Sequence, residues 1–244
     1  MTKMFEQRYL RLDGARIHYQ SGGAGEPLVL LHGLSGSSRW WAHNVAALSE
    51  RFHVYVVDLI GYGQSRGQRF SLHKAGALIG NLLDALAIER VNLMGHSMGG
   101  YIAGELAAHH PERVDRLVLV DALAVPVGRT LARSAVGLVE SLRYLPMDFL
   151  PVLVGDALRA GPHTLARSIL EIQQADLTSM LSHIQARTLI VWGEHDKLLP
   201  VERGEILHRA LPLAEYRVVE RAGHNPMWDQ PEIFNQAVIA FLEQ

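Results

Sequence analysis

Six short segments of the chain are almost continuously apolar, and they recur along most of its length. They are rich in leucine or in β-branched residues, without the polar alternation of a strand that has one exposed face. Continuous runs of this kind are typical of parallel strands that helices cover on both faces. The six runs are LVLLHG (28–33), HVYVVDL (53–59), VNLMGH (91–96), RLVLVDA (116–122), TLIVWGE (188–194) and YRVVERAGH (216–224).

The N-terminal segment has a different pattern. In RYLRLDGARIHYQSGG (8–23), apolar and polar residues alternate around Asp13-Gly14, which predicts an antiparallel hairpin. Helical segments lie between most of the apolar runs, at about 38–50, 71–87, 98–109, 201–211 and 230–243. This alternation predicts an α/β fold, in which a mostly parallel sheet with an N-terminal antiparallel hairpin has helices on both faces.

One interval interrupts the alternation. Residues 123–186 are too many for one crossover helix, are rich in leucine, and contain prolines at positions 126, 146, 151 and 162. We expect several short helices here, because proline interrupts a helix interior, and we expect them to fold over one end of the sheet. The predicted organisation is a core domain of residues 1–122 and 187–244, with a helical cap, or lid, inserted late in the sheet at 123–186.

Composition narrows the classes of protein that the sequence fits. The chain has 244 residues, 48% hydrophobic content, a net charge of −2 and no cysteine. The charge provides no basic field for nucleic acid, and the lack of cysteine excludes disulfides and a cysteine nucleophile. No apolar stretch reaches the roughly 18 residues of a membrane span, and the first residues lack a secretory-signal pattern. We expect a cytoplasmic monomer or homodimer with no nucleic-acid partner.

The last two residues of the third apolar run begin the motif Gly95-His96-Ser97-Met98-Gly99. This is a G-x-S-x-G pattern between a predicted strand and a predicted helix. In that context the pattern is typical of a nucleophile elbow, a strained turn that projects the serine hydroxyl above the sheet. Side chains at the two glycine positions would collide with neighbouring backbone. A tight loop alone would also account for the glycines, so the assignment depends on partners for Ser97.

A serine hydroxyl becomes an effective nucleophile when a histidine takes its proton and an acid orients that histidine. On a sheet of this kind, the acid and then the histidine follow the serine at the carboxyl ends of later strands. Asp196 follows the fifth apolar run and His224 lies at the end of the sixth. We therefore expect Ser97 as nucleophile, His224 as general base and acid, and Asp196 as the orienting acid. Asp121 and Glu194 compete for the role of Asp196.

These motifs together resemble those of the α/β-hydrolase superfamily, from about residue 9 to the C-terminus. The matching stretches are HGLSGSS, DLIGYGQS, GHSMGG, GEHDKLLP and AGHNPMWDQPEIFNQAVIAFL. The resemblance implies the family's fold, with a variable cap at the interval 123–186. It favours Asp196 as the acid, because G-x-x-D before an apolar-proline turn is the family's usual setting. It also implies an oxyanion hole formed by the backbone N–H groups of Leu34 and Met98.

Serine at the nucleophile position implies chemistry through an acyl-enzyme. Relatives that resemble dehalogenases and epoxide hydrolases carry aspartate there, so those activities are disfavoured. The first expectation is a carboxylesterase that acts on small or medium apolar esters. The motifs also resemble those of carbon–carbon hydrolases of ring-cleavage products and of enol-lactonases, and thioesterase, amidase and perhydrolase activities stay open. A binding-only receptor is a remote alternative, and a nucleotide-binding domain is disfavoured because the glycine loop lacks G-x-G-x-x-G.

Several apolar side chains close to these motifs are candidates for the walls of a substrate pocket, although ordinary packing explains each equally well. They are Trp40, Leu123, Leu145, Met147, Phe149 and Met227. His32 and His96 are expected to be buried structural residues, and Arg39 either contacts a substrate carboxylate or lies exposed at a helix start. The thirteen histidines show no metal-ligand spacing, so we expect neither a metal nor a cofactor.

Overall fold

The computed structural model describes residues 5–65, 69–126 and 140–244. Eight strands within these ranges form one sheet in the order β1-β2-β4-β3-β5-β6-β7-β8. The strands are β1 Glu6–Leu12, β2 Ala15–Gly23, β3 Pro27–Leu31, β4 His53–Val57, β5 Val91–His96, β6 Val114–Val120, β7 Arg187–Gly193 and β8 Glu215–Val219. Strands β3 to β8 are parallel, and β2 pairs antiparallel with both β1 and β4. The predicted sheet is confirmed.

The N-terminal hairpin turns where the sequence predicts. Asp13 and Gly14 have φ values of 49° and 78°, and positive φ at both central residues is what a two-residue turn of type I′ requires. The turn pairs Leu12 with Ala15. The hairpin thereby places β2 beside β4, where it extends the parallel sheet.

Each apolar run contains a strand, but the sixth run is less buried than expected. β3 and β5 are buried along almost their whole length, whereas Arg217 and Val218 in β8 are exposed. The expectation of burial on both faces is wrong for β8, because β8 is an edge strand with a neighbouring strand on one side only.

The helices within the described ranges are α1 Val45–Leu48, α2 Leu72–Ala85, α3 Met98–His109, α4 Leu150–Ala160, α5 Pro162–Ile172, α6 Glu202–Ala210, α7 Pro226–Asp229 and α8 Pro231–Leu242. The single helix expected at 38–50 is wrong. A short 3-10 turn at Ser38–Trp41 comes first, and α1 follows it. Trp40 and Trp41 are both buried in that turn, which holds this segment against the sheet.

Apolar side chains fill the space on both faces of the sheet. Along β3, Leu28 and Leu30 belong to one hydrophobic cluster, while Val29 and Leu31 belong to the other. Alternate residues of a strand point to opposite faces, so one buried strand contributes to both clusters. Side chains of α2, α3 and α6 pack in the cluster of Val29, and those of α1 and α8 in the cluster of Leu28. Helices therefore cover both faces, as predicted.

The described part of the interval 123–186 is mainly helical. It contains α4, α5 and 3-10 turns at Leu142–Tyr144 and Leu181–His183, while residues 127–139 lie outside the described residues. Buried polar contacts join α5 to the sheet domain, since the Tyr62 hydroxyl donates to Ser168 Oγ at 2.6 Å. The division into core and cap stays a prediction. Across the described ranges, no helix combines the length and the apolar character needed to cross a membrane.

Candidate active site

Ser97 lies in the turn between β5 and α3 with φ 51° and ψ −114°. This left-handed conformation is unusual for a residue with a side chain. A Cβ atom on Gly95 would overlap the carbonyl oxygen of Gly99, and one on Gly99 would overlap that of Leu31. The two glycines therefore allow backbone segments to approach each other at the turn, which is the steric reason predicted for them.

The structure brings Ser97, His224 and Asp196 into one hydrogen-bonded chain. Ser97 Oγ lies 3.1 Å from His224 Nε2, and His224 Nδ1 lies 2.6 Å from Asp196 Oδ2. The Asp196 carboxylate is an acceptor, so Nδ1 carries the proton and Nε2 is left to accept from the serine hydroxyl. Asp196 is buried, and its Oδ1 accepts N–H groups from Leu198 and Leu199 at 2.8 and 2.9 Å.

The two competing acids occupy different positions. Glu194 accepts the backbone N–H of Arg221 at 2.9 Å, and it faces His195. Asp121 is buried beside Asp196 and accepts the backbone N–H of Gly193 at 3.0 Å. Among the described residues, the carboxylate that hydrogen-bonds the His224 ring is that of Asp196. Burial, followed by the charge of Asp196, raises the pKa of Asp121 well above its ordinary value.

His32 and His96 are buried, as expected for structural histidines. His32 donates from Nδ1 to the carbonyl of Gly33 at 2.8 Å and accepts the Leu59 N–H on Nε2 at 3.0 Å. His96 donates from Nε2 to the backbone carbonyl of His224 at 2.7 Å. Burial lowers the pKa of His96 well below its usual value, and the nearby His224 adds to this effect. A neutral His96 therefore supports the backbone of His224.

The two predicted oxyanion donors belong to segments next to Ser97. Met98 is the first residue of α3, where backbone N–H groups have no partner within the helix. Leu34 follows Gly33, and a Cβ on Gly33 would lie 3.1 Å from the Ser97 Cβ, so this loop passes directly beside the serine. Neither N–H group has a hydrogen-bond acceptor among the described residues. Their role as oxyanion donors stays a prediction.

Five of the six predicted wall residues are buried or partly buried, and the sixth is exposed. Trp40 and Phe149 are buried against each other with ring centroids 5.2 Å apart, and Trp40 lies 5.7 Å from the ring of His96. Leu123 and Met227 are also buried, and the Leu123 N–H donates to the Ser97 carbonyl at 3.0 Å. Leu145 is partly buried in the same cluster as Trp40. The structure does not bring Met147 to this group, since it is 81% exposed.

Arg39 lies exposed at the start of the 3-10 turn Ser38–Trp41, which is one of its two expected positions, and it also contacts α4. Its guanidinium donates to Asp156 Oδ1 at 2.8 Å and to the Val152 carbonyl at 3.2 Å, both in α4. Asp156 also accepts the hydroxyl of Ser37 at 2.7 Å. Asp156 could not be predicted from the sequence, because its partners lie more than a hundred residues away and no local pattern links them.

Asn44 and Asp229, also missed, hold the segment that carries His224. Asn44 donates to the carbonyl of Met227 at 2.9 Å, and Asp229 accepts the N–H of Gly223 at 2.7 Å. Burial raises the pKa of Asp229 to about 6. Asp229 lies five residues after the histidine, and that proximity was the one available signal.

Asp121, Asp196 and His224 are the one group in the described ranges whose acidic and histidine atoms lie close enough to hold a metal, within 4.8 Å of one another. Asp196 Oδ2 and His224 Nδ1 hydrogen-bond each other at 2.6 Å, and Asp196 Oδ1 accepts two backbone N–H groups. The ligand atoms of Asp196 and His224 are therefore occupied by hydrogen bonds. The donor set fits an oriented histidine better than a metal centre.

Comparison with known proteins agrees with this geometry. A family model described as alpha/beta hydrolase fold matches residues 26–156. A 2-hydroxy-6-oxononadienedioate/2-hydroxy-6-oxononatrienedioate hydrolase of Paraburkholderia phymatum is 34% identical, with the alignment covering 94% of this chain and 91% of that protein. A putative carbamate hydrolase of Pseudomonas savastanoi pv. phaseolicola is 31% identical, over 88% and 93% of the two chains.

The fold agrees as well. The solved structure of the enol-lactonase from Burkholderia xenovorans LB400 superposes with a TM-score of 0.84 at 27% identity, covering 97% of this chain and 100% of that one. The family model spans more than half of this chain. The chain therefore belongs to the alpha/beta hydrolase fold family.

Proposed function

We propose that this protein is a serine hydrolase that cleaves carboxylic esters, including lactones, through an acyl-enzyme on Ser97. The observation that carries the proposal is the chain of hydrogen bonds from Ser97 through His224 to Asp196, with distances of 3.1 and 2.6 Å. Nucleophile, base and orienting acid lie within reach of one another, which is the geometric requirement for nucleophilic catalysis by serine.

In the first half of the reaction, Ser97 Oγ attacks the ester carbonyl carbon while its proton moves to His224 Nε2. The carbonyl oxygen becomes an oxyanion, and the N–H groups of Met98 and Leu34 stabilise it. Loss of one such donor typically raises the barrier by about 3 kcal/mol. When the carbon–oxygen bond to the alcohol breaks, the alcohol oxygen takes the proton from Nε2.

In the second half, a water molecule gives a proton to His224 Nε2 and attacks the acyl carbon. The bond to Ser97 Oγ breaks, the serine regains its proton from Nε2, and the carboxylic acid leaves. Asp196 keeps the histidine in the Nδ1–H tautomer throughout and stabilises the imidazolium formed in each half. This cycle needs no group beyond these side chains, two backbone donors and water.

The apolar surroundings support an apolar acyl group. Trp40, Phe149 and Met227 are buried near the histidine-bearing segment, and Phe149 belongs to the interval expected to form the cap. We propose that these side chains contact the acyl chain.

A second candidate is hydrolysis of a carbon–carbon bond beside a ketone. The 34%-identical relative is named for 2-hydroxy-6-oxo substrates, and these names describe an oxo group and no ester. Ser97 would attack the ketone in the same way, and a carbon leaving group would take the proton in place of the alcohol oxygen. The relatives' names support this candidate at least as strongly as ester cleavage.

A substrate panel with matched controls separates the two candidates. Wild type and Ser97→Ala would be assayed against p-nitrophenyl esters of increasing acyl length, an enol-lactone, and 2-hydroxy-6-oxo-6-phenylhexa-2,4-dienoate. We expect ester and lactone turnover that the variant lacks, with the preferred chain length reporting the size of the acyl pocket. Higher kcat/KM on the dienoate than on every ester would establish the second candidate instead. No turnover, together with no fluorophosphonate labelling of Ser97, would refute both and leave a binding role.

A further inference from the structure

A second carboxyl group lies behind the orienting acid. Asp121 comes directly after β6, is completely buried, and has atoms within 4.8 Å of both Asp196 and His224. Its backbone has a φ of 40°, a conformation that L side chains seldom adopt. Two acids thus share one buried space at the carboxyl ends of neighbouring strands β6 and β7.

The two oxygens of Asp121 differ in their partners. Oδ1 accepts the backbone N–H of Gly193 at 3.0 Å. Oδ2 is buried, and no group within the described residues donates a hydrogen bond to it. Leaving a buried polar atom unpaired destabilises the folded state. The carboxyl of Asp196 lies within 4.8 Å of the Asp121 carboxyl, and two carboxyl groups can hydrogen-bond each other only if one of them carries a proton.

The surrounding charges decide which acid that is. Asp196 Oδ2 faces the Nδ1–H of His224, and its Oδ1 accepts the N–H groups of Leu198 and Leu199. These donors stabilise an ionised Asp196. The charged groups that act on Asp121 are Asp196 and, more weakly, Asp229; both are acids, so they disfavour a further negative charge. The proton therefore resides on Asp121.

We propose that Asp121 is a neutral carboxylic acid at physiological pH, and that its Oδ2–H donates a hydrogen bond to the Asp196 carboxylate. The pair then holds a single negative charge, which faces His224. The effect of Asp121 on the reaction rate rests on the proposed function, whereas its protonation state does not. In that setting Asp121 is a positioning residue: it fixes the carboxylate that orients the histidine, and it does not touch substrate.

The protonation state can be measured without any substrate. Infrared spectra in D₂O at pH 8 would be recorded for wild type, Asp121→Asn, Asp229→Asn and Ser97→Ala. We expect a carboxylic-acid C=O band in wild type that disappears in D121N and persists in D229N and S97A. Asp229 is the matched control because its pKa is also raised, to about 6, which leaves it ionised at pH 8. Absence of the band in wild type, or its persistence in D121N, would overturn the proposal.

Kinetics with the preferred substrate of the panel test the positioning role. Asn keeps a donor toward Asp196 and an acceptor for Gly193, whereas Ala keeps neither. We expect D121A to lower kcat by about 10- to 100-fold with little change in KM, in line with loss of a hydrogen bond to a charged group, and D121N to retain most of the wild-type kcat. Equal losses in both variants would contradict a neutral donor.

The two proposals can fail separately. If S97A retained wild-type turnover, the proposed function would be wrong while the infrared band could still be present. If D121A does not fold, the infrared comparison with D121N still decides the protonation state.

Discussion

Arg39 and Asp156 form an ion pair that joins the loop after β3 to helix α4, with 2.8 Å between Arg39 Nη2 and Asp156 Oδ1. The Asp156 side chain is completely buried, and the Arg39 side chain is 44% exposed. Ser37, in the same loop as Arg39, donates to the other oxygen of Asp156. This loop also contains Leu34, a proposed oxyanion donor, so the ion pair connects the interval 123–186 to the proposed active site.

Arg39→Ala should reduce the free energy of unfolding by about 2 kcal/mol. Removing one partner of a fully buried ion pair typically costs about 3–5 kcal/mol, and the partial exposure of Arg39 reduces that effect. Arg159 provides the matched control, because it lies 3.9 Å from the same carboxylate and is 48% exposed. Arg159→Ala should cost less than about 1 kcal/mol. Urea unfolding of both variants measures the difference, and equal effects would refute a special role for Arg39.

Ser97→Ala should lower kcat by about 10⁶-fold, as removal of the nucleophile does in other serine hydrolases. The hydroxyl hydrogen-bonds the base His224 at 3.1 Å, and alanine leaves the base without a nucleophile to activate. Steady-state kinetics on the substrate found by the panel measure the loss, with thermal unfolding to show that the variant is folded. A rate within tenfold of wild type would exclude Ser97 as the nucleophile.

Gly95→Ala should destabilise the fold by about 3 kcal/mol or more, because the added Cβ overlaps the carbonyl of Gly99 and the backbone must move to accept it. Gly80 in α2 offers the opposite case, since a Cβ there would lie 3.8 Å from its nearest neighbour, Leu106. Gly80→Ala should stabilise the protein by about 0.5–1 kcal/mol through helix propensity. Chemical denaturation of both variants tests the pair, and two changes of the same sign would contradict the steric argument.

Asp229 should make stability depend on pH between about pH 4 and pH 6. Burial raises its pKa to about 6 in the folded protein, against an ordinary value near 3.9. The folded state therefore holds this proton more tightly, and the group's contribution to stability is greatest below about pH 4 and falls as the pH rises to 6.

Asp229→Asn removes that dependence while its amide oxygen can still accept the Gly223 N–H. The free energy of unfolding of the variant, relative to that of wild type, should therefore rise by about 2–3 kcal/mol between pH 4 and pH 7. Urea unfolding at several pH values measures this difference. A difference between the two proteins that stays constant with pH would show that Asp229 has an ordinary pKa.

Phe149→Ala should lower the free energy of unfolding by about 3 kcal/mol, because the ring is buried between Trp40 and Trp228 and its removal leaves a cavity. Met147 lies two residues earlier and is 81% exposed, so Met147→Ala should change stability by less than about 0.5 kcal/mol. Thermal unfolding compares them. If Phe149 also lines the acyl pocket, its alanine variant will prefer longer acyl chains than wild type, whereas the Met147 variant will not.

Much of the architecture could be predicted because it depends on local periodicity. The hairpin at Asp13-Gly14, the order of strands and helices, and the elbow around Ser97 all have short-range signals in the chain. The meeting of Ser97 and His224 with an acid could also be predicted, since the carboxyl ends of parallel strands lie along one edge of a sheet, and the family resemblance favoured Asp196 as that acid. The helix expected at 38–50 failed, because burial of Trp40 and Trp41 overrides the helical pattern there.

The sequence by itself therefore determined which types of candidate catalytic residue follow which strands. A serine comes first, in a strained turn, then an acid, and then a histidine. Only the tertiary structure decided that Asp196 reaches the His224 ring while Asp121 lies behind it, and that Asp156 holds Arg39. The physical reason is distance along the chain. Partners far apart in the chain meet through packing of whole elements, and that packing decides which of the neighbouring carboxyl groups hydrogen-bonds His224.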